Sequence, residues 1–149
     1  MEILAMSRAR AIQYCQTKHR HSSVIISISD PNMDYSSDPF MSPENHVEAI
    51  LPLGFCDADR PGTDVYGNET DGSDLMSDED ARKVALFVTE YMTDRIIVHC
   101  DAGISRSGGV AAAIAKWMRK NDEEFFCSGQ YHPNMWCYRK TLAALCDLE

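Results

Sequence analysis

Residues 95–120 read RIIVHCDAGISRSGGVAAAIAKWMRK, and three local patterns follow one another within them. RIIVH is short and β-branched, as a strand should be. From Ser107 onward the run is strongly helical, apart from its two opening glycines, Gly108 and Gly109. Cys100 to Arg106 separate the two as a tight loop. A strand that turns directly into a helix in this way predicts an α/β fold.

The flanking sequence extends the alternation. Glu2 to Met6 is a brief apolar strand, and Ser7 can cap a helix over the residues that follow it, RARAIQYC. In SSVIISIS, Val24, Ile25, Ile26 and Ile28 predict a strand that ends at the turn signal Asp30-Pro31. Residues 30–43, rich in Pro, Ser, Asp and Asn, are expected to form a surface loop. Ala49 to Phe55 reads as another strand, with Pro52 arguing that it is short, bulged or at an edge. From Cys56 to Asp80 the glycines, Pro61 and many carboxylates predict a long exposed loop. Ser77 ahead of Asp78, Glu79 and Asp80 is a helix start, and Val84, Phe87, Val88 and Tyr91 form that helix's buried stripe, leaving Arg82, Lys83 and Glu90 outside. A last helix is expected from about Asn134, with Tyr138, Leu142 and Leu145 on one face. Alternating strands and helices predict an α/β sandwich with a mostly parallel sheet, as one domain over residues 1–149. Strand order is not legible at this level.

Composition narrows the function. The apolar fraction of 44% and charged fraction of 25% are those of a soluble globular domain. No run of eighteen or so apolar residues is present, and the opening MEILAMSRARAIQYC lacks the features of a signal peptide, so a cytoplasmic location with no membrane partner is expected. The six cysteines are scattered without a CxxC pair, which predicts reduced thiols and neither a disulfide framework nor a zinc site. His19, His21, His46 and His132 have no partners at metal-ligand spacing. A net charge of −9 opposes nucleic-acid binding, which depends on Lys and Arg displacing counterions, and it disfavours highly anionic lipid headgroups. A monomer is expected.

The chemistry lies in the loop between strand and helix. A loop of this length entering a helix N-terminus can curl so that the backbone N–H groups of Asp101, Ala102, Gly103, Ile104, Ser105 and Arg106 converge on one phosphate. Gly103 relaxes the backbone where the curl is tightest. Arg106 can offer two N–H bonds to two phosphate oxygens. Cys100 stands at the focus of the amides, the helix dipole and the guanidinium, all of which favour a nucleophilic thiolate. Ser107 is suited to hydrogen-bond the sulfur as it leaves phosphorus, and His99 to hold the loop and tune the thiol.

HCDAGISRS resembles the HCxxGxxRS signature loop of the protein tyrosine phosphatase superfamily, and the small size is similar to that of its dual-specificity and compact microbial branches. The resemblance implies a three-layer α/β sandwich, a central mostly parallel sheet flanked by helices, and a two-step mechanism with no metal or other cofactor. It also implies a general-acid aspartate on a separate upstream loop. In LPLGFCDADRPG the spacing Leu53, Phe55, Asp57 resembles the family pattern that ends in the acid, which favours Asp57 over Asp59. Pro133 and Asn134 open the last helix much as a Pro-Asn pair does in dual-specificity phosphatases, where the asparagine braces the signature loop. As a helix cap alone, Asn134 would need no such role.

The leading expectation is a phosphatase for phosphotyrosine, extending to phosphoserine and phosphothreonine, acting on phosphorylated proteins or other phosphomonoesters. The alternatives are a phosphatase for RNA 5′ ends or inositol phospholipids, and a binding-only pseudophosphatase. Poly-phosphorylated substrates are usually met by lysines within the loop, and this loop has none. Cys56 beside Asp57 is either an inert strand-end thiol or an oxidation partner for Cys100.

Overall fold

The computed structural model describes residues 1–31, 45–58, 62–63, 69–70, 72–119 and 121–148. Four parallel strands form the central sheet: β1 (Glu2–Ser7), β2 (Ser23–Ser29), β3 (Val47–Gly54) and β6 (Arg95–Cys100), in the order β1-β6-β2-β3. A separate antiparallel pair, β4 (Gly62–Thr63) and β5 (Glu69–Thr70), lies between β3 and the second helix in sequence.

The pleat sorts the apolar residues onto two faces. Ile25 and Ile97 turn toward α1 (Arg8–Cys15), where they meet Ala11 and Cys15. Val24, Ile26, Ile28, Ile96 and Val98 turn the other way. There they join α2 (Asp78–Glu90), α3 (Arg106–Arg119), α4 (Glu123–Cys127) and α5 (Met135–Asp147) in the larger core. Helices on both faces of a parallel sheet make the expected three-layer sandwich. Because both faces are covered, every residue of β2 is buried, which is why this strand reads as a nearly continuous apolar run.

α3 carries the site. Val110 to Ala115 are all buried, so the helix is apolar around its whole circumference and lies between the sheet and α5. Its opening glycines belong to the helix rather than preceding it. A Cβ added at Gly109 would stand 2.4 Å from the Asn134 carbonyl oxygen, so the glycine is required by the close approach of α5.

β3 lies at the sheet edge, where Pro52 needs no donor on its outer side, and it runs for eight residues instead of being short. The capping box at Ser77 forms: Asp80 N donates to Ser77 Oγ and Ser77 N to Asp80 Oδ2, both at 3.0 Å. The stretch from Cys56 to Asp80 departs from the expected exposed loop. Besides β4 and β5 it contains a 3-10 turn over Gly72–Asp74, and Leu75 and Met76 are buried. Trp136 Nε1 donates to the Met76 carbonyl at 2.8 Å, fastening this segment to α5. The buried stripe of α5 is Cys137, Thr141 and Leu145, with Tyr138 and Leu142 at its margin. Residues 32–44, most of the expected surface loop, lie outside the described residues.

Candidate active site

Parallel strands that end level leave a crevice at their carboxyl ends, and ligands of α/β proteins bind in such crevices. Here Ser7 of β1 is in register with Cys100 of β6, and Ser29 and Gly54 close β2 and β3. Cys100 is the last residue of its strand and Arg106 the first of α3. The five residues between them make the curl expected from sequence. Gly103 has φ +77°, a conformation that only glycine adopts freely, and a Cβ there would stand 2.3 Å from Ser7 N. The loop is therefore seated directly on the junction of β1 and α1.

The Cys100 thiol is buried, with two polar neighbours. Gly103 N donates to Sγ at 3.2 Å, and the thiol donates to Ser107 Oγ at 3.2 Å. In the thiolate state the serine hydroxyl is free to turn and become the donor. Arg106 is 2% exposed. Its Nη1 donates to the Phe55 carbonyl and to Asp30 Oδ1, each at 2.9 Å. Burial lowers its pKa, but the charges of Cys100, Asp30 and Asp57 outweigh this and leave it raised.

Asp57 lies against the loop. Its Oδ1 accepts from Ser105 Oγ at 2.7 Å and from Asn134 Nδ2 at 3.0 Å. Asn134 also donates from Nδ2 to the Ala58 carbonyl and from its backbone N to the Ser105 carbonyl, while its Oδ1 caps α5 by accepting from Cys137 N. The side chain thus caps α5 and holds the Asp57 segment, while the contact with the Cys100–Arg106 loop is made by the Asn134 backbone. Asp59 lies outside the described residues.

His99 is fully buried beneath the loop, and its pKa is lowered to about 4, first by burial and then by the charge of Arg8. The ring is therefore neutral near pH 7. Among the other loop residues, Ala102 and Ile104 are exposed and border a cavity of about 330 Å³ that also involves Met6, Arg10 and Tyr131. The structure brings all the sequence-predicted site residues of the loop together with Asp57 and Asn134.

Two site residues were not anticipated. Asp30, read as part of a turn signal, pairs with Arg106. Its position at the carboxyl end of a central parallel strand was the available clue. Arg8 donates from Nη2 to Ser29 Oγ at 3.1 Å and from Nε to Asp101 Oδ1 at 3.4 Å. A cation in the first turn of a helix opposes the helix dipole, and that misfit was its sequence signal.

The described residues contain no group of three His, Cys, Asp or Glu side chains placed to hold a metal, and no helix long and apolar enough to cross a membrane. None of the six cysteines is in a disulfide. No protein-family model matches the chain, and no match is found among the curated proteins. Solved structures do match. The crystal structure of PTPMT1 in complex with PI(5)P superposes with a TM-score of 0.55 at 12% identity, covering 99% of this chain and 92% of the other. The chain has the protein tyrosine phosphatase fold. The Yvh1 phosphatase domain from Chaetomium thermophilum is similar over 98% of this chain and 89% of its own, with a TM-score of 0.51 at 18% identity. In this fold as it occurs here, the Cys100–Arg106 loop occupies the β6–α3 turn, and the Asp57 loop leaves the edge strand β3, which β2 separates from β6.

Proposed function

We propose that the protein is a phosphatase that hydrolyses phosphomonoesters, phosphotyrosine in proteins foremost, through a phosphocysteine on Cys100. The observation that carries this reading is the position of Cys100 Sγ, 3.2 Å from both Gly103 N and Ser107 Oγ within the curled loop that Arg106 closes.

The thiolate attacks phosphorus in line, forming an S–P bond as the bond to the substrate oxygen breaks. Arg106 and the loop amides hold the equatorial oxygens as charge redistributes among them. Asp57, docked beside the loop through Oδ1, gives a proton to the departing oxygen from its other oxygen. In the second step water attacks phosphorus, Asp57 takes up its proton, and the S–P bond breaks to release inorganic phosphate. Ser107 donates to the sulfur as its negative charge returns.

Substrates bearing several phosphates are disfavoured. Asp101 is 40% exposed at the side chain and stands 4.0 Å from Arg106 Nη2, so a carboxylate lies where a basic loop residue would serve a second phosphate. A phosphoinositide substrate, which the PTPMT1 complex suggests by likeness, would meet this carboxylate, with Arg8 and Arg10 the basic side chains beside the loop among the described residues. Cys100 and Arg106 flank one loop and Asp57 Oδ1 accepts from Ser105 Oγ within it, which supports turnover over a binding-only role.

The test is hydrolysis of an aryl phosphate with a chelator present, comparing the unaltered protein with Cys100→Ser and Asp57→Asn. Cys100→Ser should abolish turnover, and Asp57→Asn should lower it roughly 10²–10⁴-fold. Folded, reduced protein without activity between pH 5 and 8 would sink the proposal. Phosphotyrosine peptides, phosphothreonine peptides and inositol phosphates then resolve the substrate class, with the first expected to be best.

A further inference from the structure

A guanidinium carries five N–H bonds in one plane, and an arginine binds phosphate well only when the correct edge of that plane faces the anion. Arginine itself does not settle which edge is offered, because its long stem can rotate. At this site the protein uses up one nitrogen. The two hydrogens of Nη1 have two acceptors, Phe55 O and Asp30 Oδ1, both at 2.9 Å. Two acceptors on one nitrogen define both the plane of the group and its rotation within that plane. The opposite edge is left over. Buried Nε meets no hydrogen-bonding partner among the described residues, and Nη2 is 4.0 Å from Asp101 Oδ2, beyond hydrogen-bonding distance. Nε and Nη2 form the edge that matches two oxygens of a phosphate.

The acceptors are fixed by the sheet. Asp30 directly follows β2 and Phe55 directly follows β3, and the two strand ends are tied by the bond from Phe55 N to the Ser29 carbonyl at 3.0 Å. The close approach is visible at Gly54, where a Cβ would lie 3.5 Å from the Asp30 carbonyl oxygen. The Asp30 side chain is 48% exposed, whereas that of Arg106 is 3% exposed. The carboxylate therefore keeps part of its hydration while contributing one oxygen to the buried cation.

We propose that Asp30 is a positioning residue. Together with the Phe55 carbonyl it clamps Nη1, so that the Nε–Nη2 edge of Arg106 faces the loop before an anion arrives. The consequence for turnover rests on the phosphatase reading above, whereas the consequence for anion binding does not. Asp30 repels an incoming phosphate by its own charge, so orientation and repulsion predict opposite effects on affinity when Asp30 is removed.

The experiment uses inorganic phosphate as the probe, titrated calorimetrically into full-length Cys100→Ser protein bearing Asp30, Asp30→Asn or Asp30→Ala, with thermal unfolding recorded for each. Asp30→Ala should weaken phosphate binding roughly tenfold or more, the worth of a hydrogen bond to a charged group. Asp30→Asn keeps an acceptor oxygen at the clamp and should restore most of that loss. In the Cys100 protein, Asp30→Ala should lower kcat for an aryl phosphate as well as affinity. Phosphate affinity unchanged or raised in folded Asp30→Ala overturns the clamp, as does Asn behaving no better than Ala. Phosphate binding that depends on Asp30, with no turnover by the unaltered protein, supports the clamp and removes the phosphatase reading. Turnover with phosphate affinity indifferent to Asp30 does the reverse.

Discussion

Asn134 Nδ2 donates to Asp57 Oδ1 at 3.0 Å across 77 residues of sequence, while Oδ1 of the same side chain caps α5 through Cys137 N at 3.0 Å. The helix that closes the core thereby also sets the position of the candidate acid.

The two roles of Asn134 can be separated by substitution. Asn134→Asp keeps an oxygen for the cap, but it buries a second carboxylate against Asp57 Oδ1 and the Ala58 carbonyl, so stability should fall through repulsion and lost donors rather than through loss of the cap. It replaces the Nδ2 donor with an oxygen facing the Asp57 carboxylate. Displacing a catalytic group by about 1 Å can cost 10²-fold in rate, and a loss of that order in kcat is expected. Asn134→Ala should lose both properties, with about 1 kcal/mol of stability gone besides. Aryl phosphate kinetics alongside urea unfolding check this, and unchanged kcat in Asn134→Asp would refute the bracing role.

In the proposed mechanism Ser107 acts after the phosphocysteine has formed, when sulfur regains its charge. Ser107→Ala should slow the second step roughly tenfold or more while sparing the first. Rapid-mixing kinetics should then show a burst of the aryl alcohol followed by slow turnover. A variant slowed without a burst would show that the 3.2 Å contact serves formation of the nucleophile instead.

Gly109→Ala tests the packing of α3 on α5. Within a helix, alanine ordinarily stabilises by about 1 kcal/mol relative to glycine. Here the added methyl would stand 2.4 Å from the Asn134 carbonyl oxygen, and that neighbour is backbone. Overpacking costs about 1–3 kcal/mol, and at such a distance the clash wins. The variant should unfold at lower urea and lose activity as Asn134 shifts; a gain in stability would contradict the close packing.

His99 makes stability depend on pH. Its pKa falls to about 4 in the folded chain, against about 6.5 in an unfolded one, because burial excludes the charged ring. Between those values the unfolded state binds more protons than the native state, so stability rises with pH across this window and falls as the solution is acidified through it. The full effect is about 3 kcal/mol. Urea unfolding at pH 7, 5.5 and 4.5 should show the loss, and His99→Gln should have a shallower slope over that interval. Equal slopes would rule out His99 as its source.

The strands, the capping box at Ser77 and the loop from Cys100 to Arg106 were legible because each depends on residues close together in sequence. Asp57 and Asn134 became candidates only through the family resemblance, and their meeting at 3.0 Å needed the tertiary structure. Turn-rich composition misdescribed the segment before Ser77, because polar neighbours say nothing about whether Leu75 and Met76 find a core. Strand order was hidden for the same reason: parallel pairing joins distant segments, and β6 inserts between β1 and β2. Asp30 and Arg8 went unnoticed because ion pairs carry no periodicity.

The side-chain bonds that join Arg106 to Asp30, Ser105 to Asp57 and Asn134 to Asp57 link residues 48 to 77 positions apart. Such contacts can close only after most of the chain's entropy has been surrendered. Intermediates that hold the sheet but have not docked α5 should accordingly be catalytically silent. During refolding, enzymatic activity should return later than helical circular dichroism, so that turnover reports the completion of assembly rather than its onset.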